Sequence, residues 1–324
     1  MKRTISAVAL LGFLAACGSG TNPFDTDTDT DTDTGTTDGT IPESLAGDLQ
    51  SFSYNPGDNT ITVTGINQDS SPLTATFTRN TAFDTRGYEA YTVQDDPLFR
   101  HVIALVRQSG NSGSVTAGVV STGGQFNRIH NGGYYERSGT YTQPTTGHVR
   151  YVGTYAGITN IQASAGGDLL PVAAGTDPAY LPGQAFTTSG HILINVDFND
   201  NTLEGAITDR VINENGVNLA SIALTTGEIA DDGTFFGDTV EYDGDLDTDI
   251  GDYGGIFGGP DAEAIGGVVN LTEFDNSDHI MTDAAGNPIL DSQGNELILD
   301  SELETGTFVL DACGTAAQTS SLCP

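Results

Sequence analysis

The residues best placed to do chemistry in this chain of 324 residues are carboxylates. Glu241 to Asp252, EYDGDLDTDIGD, sets acids at Asp243, Asp245, Asp247 and Asp249. Hard oxygen ligands at alternate positions suit Ca²⁺, and so concentrated an acidic loop gains from neutralisation. The stretch departs from the EF-hand pattern, because Thr248 stands where the sharp turn needs Gly and Gly254 stands where the last ligand would be Glu. A weak Ca²⁺ site and a solvated acidic loop both fit, and no other cofactor is implied. The histidines, His101, His130, His148, His191 and His279, are scattered without His-x-Glu or His-x-x-x-His spacing. There is no Gly-x-Ser-x-Gly elbow and no phosphate loop, and a glycosidase carboxylate pair has no local support. The expectation is a protein that binds and does not catalyse.

One reactive residue has a clear address. Met1 to Ala16 carries two basic residues and an apolar run from Ala7, too short to span a bilayer as a mature helix, and reads as a cleaved signal. Leu14-Ala15-Ala16-Cys17 resembles the lipobox of bacterial lipoproteins, which implies that Cys17 becomes the lipidated first residue. Gly18 and Ser19 follow, without the aspartate that retains many lipoproteins at the inner membrane, so an outer-membrane anchor is expected. With Cys17 lipidated, Cys313 and Cys323 are left to pair in an oxidising compartment and staple the tail. A metal site on these two lacks nearby His partners.

Residues 17 to about 40 form an acidic low-complexity stretch, with Asp and Thr alternating from Asp25 to Thr34, almost nothing to bury and like charges that repel. It reads as an extended tether. The formal charge of the whole chain is −34, and loss of Lys2 and Arg3 with the signal makes it −36. Every remaining basic residue is Arg. That field repels nucleic acid and anionic headgroups, so neither is an expected partner. The membrane would be met through the lipid anchor alone, and a monomer is expected.

The elements that position these residues are strands. Gly is abundant at 42, Trp is absent, and short Thr- and Val-rich runs alternate with Gly, Asn and Asp. Phe52 to Gly65 reads as a hairpin about Pro56-Gly57-Asp58, followed by strands over Leu73–Arg79, Tyr88–Val93, His101–Gln108 and Ser114–Ser121. Tyr134, Tyr135, Arg137 and Tyr141 form an aromatic patch that suits either a binding hot spot or ordinary strands. After a linker at Pro144 to Gly147 come strands over Val149–Gly157, His191–Phe198, Thr202–Thr208, Leu219–Ile229, Thr234–Tyr242, Gly255–Phe257, Gly266–Leu271 and Glu304–Leu310. Eight antiparallel strands suffice to close a barrel filled by side chains. Tyr151, Ile192, Ile194, Val196, Phe236, Phe257, Val269 and Phe308 are the expected interior. Asp283–Leu290 and Asp291–Ile298 repeat Asp-x-x-Gly-Asn, a turn-forming insertion that is either a decorated connection or a ligand loop.

The densest signal is Tyr253 to Val269, YGGIFGGPDAEAIGGVV, which reads as strand, sharp corner and strand, with Pro260 opening a short helical turn. Gly255, Phe257, Gly259, Pro260, Ala262, Gly266 and Gly267 follow in order the barrel signature Gly-x-Phe-Tyr-Gly-Pro-x-Ala-x-Glu-x-Gly-Gly. With Gly147–Gly157, His191–Gly205 and Gly233–Gly237, they make the chain resemble the transferrin-binding protein B family of bacterial surface lipoproteins. Gly258 stands where the family has Tyr, and Ala264 takes the usual Glu place. The resemblance implies an all-β fold: a C-terminal eight-stranded antiparallel barrel at 144–312, preceded by a smaller β-rich handle-like domain at 41–143, with residues 313–324 as a stapled tail. It further implies a surface-exposed outer-membrane lipoprotein that binds an extracellular protein or a small iron- or haem-bearing ligand. Family binding residues lie in variable loops, and none maps onto positions here. The competing expectation is a structural or adhesive envelope lipoprotein, with Ca dependence if the acidic stretch holds the ion.

Overall fold

The computed structural model describes residues 40–65, 74–110, 113–125, 128–145, 147–161, 167–177, 180–242, 245–272 and 302–323, with Pro288 and Glu296 as single bridge residues. The side chains of 238 and 242–247 are outside that description. The expected all-β architecture is present. Seven strands form one antiparallel sheet in sequence order: β1 Ser51–Asn55, β2 Thr60–Thr64, β3 Thr74–Arg79, β4 Glu89–Val93, β5 Val102–Gln108, β6 Val115–Thr122 and β7 Asn131–Arg137. Eight more close a barrel: β8 His148–Thr159, β9 Phe186–Asp197, β10 Thr202–Ile212, β11 Ile222–Ile229, β12 Thr234–Tyr242, β13 Asp245–Gly258, β14 Ala264–Thr272 and β15 Leu303–Asp311. Closure is made by β15 pairing β8, with Glu304 opposite Thr159 and Phe308 opposite Tyr155. A closed ladder leaves no barrel strand with unpaired backbone groups at an edge.

Strict alternation sorts the barrel side chains between two cores. Tyr151, Tyr155, Ile192, Ile194, Val196, Phe257, Val269 and Phe308 point inward into one cluster. Ala156, Ile158, Ile256, Ala264, Val268 and Val309 point outward and join the sheet residues Val115, Ala117, Val119 and Tyr134 in a second. The sheet therefore rests on the barrel wall, with β6 and β7 against β13, β14 and β15. A four-residue helix, α1 Glu43–Ala46, adds Leu45 to that junction, an element that the strand pattern did not announce.

Two local readings are corrected, and a third is refined. Phe236 is 37% exposed, and its neighbour Phe235 fills the interior place opposite Gly255. With two adjacent Phe residues, sequence alternation alone does not choose which faces inward; the register against β13 does. Within the acidic stretch at Glu241 to Asp252, Tyr242 ends β12 and pairs with Asp245, where β13 begins, so Asp245, Asp247, Asp249 and Asp252 lie on a strand and not in a loop. At the corner, the short helical or turn segment expected after Pro260 is a single 3-10 turn over Pro260–Ala262, in which Asp261 and Ala262 have φ of 55° and 53°.

Candidate binding surface

The most exposed large apolar side chains that lie together are on two loops at one end of the sheet. The β4–β5 connection presents Leu98 and Phe99, the latter 61% exposed, and the β8–β9 excursion presents Leu170, Val172 and Tyr180, the last 54% exposed. Asp96 starts the first loop as an Asx-turn: its Oδ1 accepts from Leu98 N (2.9 Å) and its carbonyl from Phe99 N (2.9 Å). Two glutamines then join the loops. Gln94 Nε2 donates to the carbonyls of Pro97 (3.4 Å) and Phe99 (3.0 Å), while its Oε1 accepts from Leu170 N (2.7 Å). Gln125 Nε2 donates to the carbonyls of Leu98 (2.8 Å) and Tyr180 (2.8 Å). Backbone groups that water would otherwise satisfy are thus held by side chains, and the apolar groups stay exposed on fixed backbone. Rigid apolar and aromatic anchors of this kind lose little entropy on binding. Asp95, Asp96 and Asp177 lie exposed on the same loops and give the patch an acidic rim.

A pair made of the buried His101 and the half-buried Asp168 pins the excursion to the sheet. His101 Nε2 lies 2.7 Å from Asp168 Oδ2, and Asp168 Oδ1 accepts from Asn80 Nδ2 (2.9 Å) while Asp168 N donates to Gln184 Oε1 (3.1 Å). Burial pushes the His101 imidazole below its ordinary value, and the Asp168 carboxylate opposes this only in part. His101 is two residues after Phe99, and Asp168 two before Leu170. No sequence motif marks the pair, because the partners are 67 residues apart.

The glycine corner has a structural role. Gly255 and Gly267 are paired and face inward, where an added Cβ would stand 2.5 Å from Phe235 and 2.7 Å from Phe308 respectively. Gly258 and Gly266 face outward, and a Cβ on either would lie 2.5 Å from a Val115 methyl. The departure at Gly258 follows: a larger side chain there would push β6 off the wall. Phe257 packs at 5.4–5.8 Å from Phe235, Phe198 and Tyr151, and Gly259, with φ of 78°, turns the chain into Pro260. Ala262 is buried, and its carbonyl accepts from Tyr151 OH.

The tyrosine patch belongs to the sheet–barrel joint. Tyr134 stacks on Phe52 at 4.6 Å, and Arg137 Nη1 donates to the carbonyls of Asp232 (2.9 Å) and Phe257 (2.9 Å) with its guanidinium 4.8 Å over Tyr141. Burial pushes the Tyr141 phenol up to about 12. Inside the barrel lies a buried network absent from the sequence reading. Arg210 Nη2 donates to Glu304 Oε2 (2.9 Å), Tyr155 OH donates to Glu304 Oε1 (2.6 Å), and both Arg210 and Glu304 are 1% exposed. Arg210 faces inward because β10 slips register between Thr208 and Val211, where Asp209 takes φ of 51°.

Cys313 and Cys323 form a disulfide closing ten residues of tail. Cys17, Asp243, His279 and the repeats at 283–298, Pro288 and Glu296 apart, lie outside the described residues, as do the side chains of Asp245 and Asp247; Asp249 is exposed. Among the described residues no three His, Cys, Asp or Glu side chains converge as a metal site. His130 lies 3.1 Å from Asp48, His148 3.6 Å from Asp197 and His191 3.4 Å from Arg86, so the histidines stay scattered in space.

A closed, side-chain-filled barrel with a strand meander packed on its wall defines an all-β scaffold that presents loops. Residues 143–286 match the family model of the C-lobe and N-lobe beta barrels of Tf-binding protein B, so the barrel of this chain is similar to those barrels. Among solved structures, the chain is similar to intact Ap-TbpB with both lobes (14% identity, 82% of this chain and 55% of that one, TM-score 0.35). It is also similar to the vaccine antigen TbpB of Haemophilus parasuis Hp5 (15%, 82% and 54%, 0.36) and to isotype 1 TbpB of serogroup B Neisseria meningitidis (14%, 82% and 52%, 0.33). The chain spans about half the length of these proteins. No curated protein sequence matches it.

Proposed function

We propose that this chain is a lipoprotein, anchored through Cys17 and displayed on the outer membrane, that captures an extracellular protein through the patch of Leu98, Phe99, Leu170, Val172 and Tyr180. The observation that carries this reading is the locking of two distant loops by Gln94 and Gln125, which keeps Leu98, Phe99, Leu170 and Tyr180 in water on fixed backbone. The partner is a protein whose apolar spot is ringed by basic residues, since Asp95, Asp96 and Asp177 border the patch and the chain carries −34. The similar proteins are named for transferrin, which makes an iron-carrying protein the first partner to try. The barrel acts as the rigid mount and the acidic tether as the reach from the membrane. The test is capture of protein from growth medium by cells bearing the full chain, compared with cells bearing Phe99→Ala with Tyr180→Ala. Retention by the first and loss by the second supports the reading; equal retention sinks it. Protease shaving of intact cells that leaves the chain untouched would remove surface display.

A further inference from the structure

A groove of about 360 Å³ runs between the sheet, the outer wall of β8 and β15, and the disulfide-stapled tail. Arg86, Arg107 and His191 line it, in a chain of net charge −34. Each arginine is held in position. Arg107 Nη1 donates to Thr154 Oγ1 (3.0 Å), and its guanidinium lies 5.4 Å over the Tyr88 ring. Tyr88 is itself fixed, donating to the Thr154 carbonyl (2.8 Å) and accepting from Val309 N (3.0 Å). Arg86 Nε donates to Ser189 Oγ (3.2 Å), and the Arg86 carbonyl accepts from Thr154 Oγ1 (2.9 Å). Thr154 is therefore shared, and it ties both arginines to one point of β8.

Carboxylates are in large excess in this protein, and Arg79 and Arg210 take them, from Asp84 at 2.5 Å and Glu304 at 2.9 Å. Arg86 and Arg107 do not: among the described residues neither has a carboxylate within ion-pair distance. The one acid lining the groove, Asp311, accepts from Gly110 N (3.2 Å). The tail meanwhile brings Gln318, Thr319, Ser320 and Ser321 to the same groove, a set of hydroxyl and amide groups. Guanidiniums match oxyanions in a planar, two-pronged geometry, and fixed ones lose little freedom in doing so. We infer that this groove is a binding site for a small oxyanion, a carboxylate or phosphate with two or more acceptor oxygens, gripped by Arg86 and Arg107.

The volume suits a small molecule and not a protein segment, so this site is separate from the patch on the sheet loops. Calorimetric and thermal-shift titrations of the full chain with inorganic phosphate and with citrate, against chloride at matched ionic strength, test it. A saturable response to either probe is expected, and the preferred one assigns the carboxylate or the phosphate class. Arg86→Gln and Arg107→Gln should each weaken it about tenfold, the loss of one charged hydrogen bond. Arg150→Gln, which removes the same charge outside the groove, should leave it unchanged. No saturable response to either probe overturns the inference. So does undiminished affinity in Arg86→Gln, whose exposed side chain can be changed without disturbing the fold.

Discussion

Gly255 and Gly267 sit opposite each other across the β13–β14 ladder, and the room left by their missing side chains is filled by the rings of Phe235 and Phe308. A Cβ at Gly255 would also stand 2.2 Å from the Gly266 carbonyl oxygen, which belongs to the paired strand and cannot withdraw without breaking the ladder. Gly255→Ala is expected to cost about 1–3 kcal/mol or somewhat more, as overpacking does. Thermal unfolding should show a fall of roughly 5–10 °C for a domain of this size. Gly147→Ala makes a useful contrast, because nothing lies within 4 Å of its added methyl and only its φ of 116° is strained.

The patch on the sheet loops should separate binding from stability. Phe99 and Tyr180 are exposed, so alanine at either is expected to change stability by less than about 0.5 kcal/mol. If they anchor the partner, each should weaken capture by about 30-fold, the effect of losing a hot-spot side chain worth roughly 2 kcal/mol. Melting curves and surface-plasmon titrations on the same preparations measure both quantities.

Changing Gln125 to Ala should act on the patch indirectly. It removes the donor that holds the Leu98 and Tyr180 carbonyls, so hydrogen exchange in 95–100 and around 180 should accelerate. Capture should weaken although no contacting side chain has been altered.

Arg210 and Glu304 form the buried pair inside the barrel. Arg210→Met leaves the buried Glu304 carboxylate with its hydrogen bond from Tyr155 OH but without its countercharge, and is expected to cost about 3–5 kcal/mol. Replacing both partners by apolar residues of similar volume should recover most of that loss, because the penalty is the stranded charge and not the lost attraction. Chemical denaturation of the two single variants and the double variant closes the cycle.

The His101 pair makes stability depend on pH in a definite direction. Its folded value lies below that of the free imidazole, about 6.5, so the unfolded chain binds the proton more readily. The contribution is fully present above about pH 6.5 and declines as the pH falls below it. Since Asp168 ties this histidine to the excursion, exchange protection over 167–177 should fall first as pH is lowered from 7. His101→Gln should remove that pH dependence, and an unchanged pH profile in the variant would count against it.

Much of the barrel could be read from sequence because a closed antiparallel sheet imposes a period of two on every strand. Ile192, Ile194 and Val196 alternate along β9 with His191, Leu193 and Asn195, and that pattern alone assigns the inside. The corner was equally legible, since glycines packed at that density serve close approach, and Gly255, Gly258, Gly266 and Gly267 each face an atom that a Cβ would strike.

The candidate surface was not legible, for physical reasons that follow from distance along the chain. Leu98 and Phe99 look like an ordinary turn, and Leu170, Val172 and Tyr180 look like an irregular connection; only docking of the sheet on the barrel brings them together under Gln94 and Gln125. The same holds for Arg210, whose inward turn depends on a register slip at Asp209 that no alternation pattern predicts, and for Arg86 and Arg107, which share Thr154 across the domain joint. The sequence by itself determined the all-β class, the eight barrel strands and the corner, because these depend on residues near one another in the chain. The tertiary structure alone decided where apolar groups stay exposed and which arginines lack a carboxylate among the described residues, because exposure and pairing are set by what other segments cover.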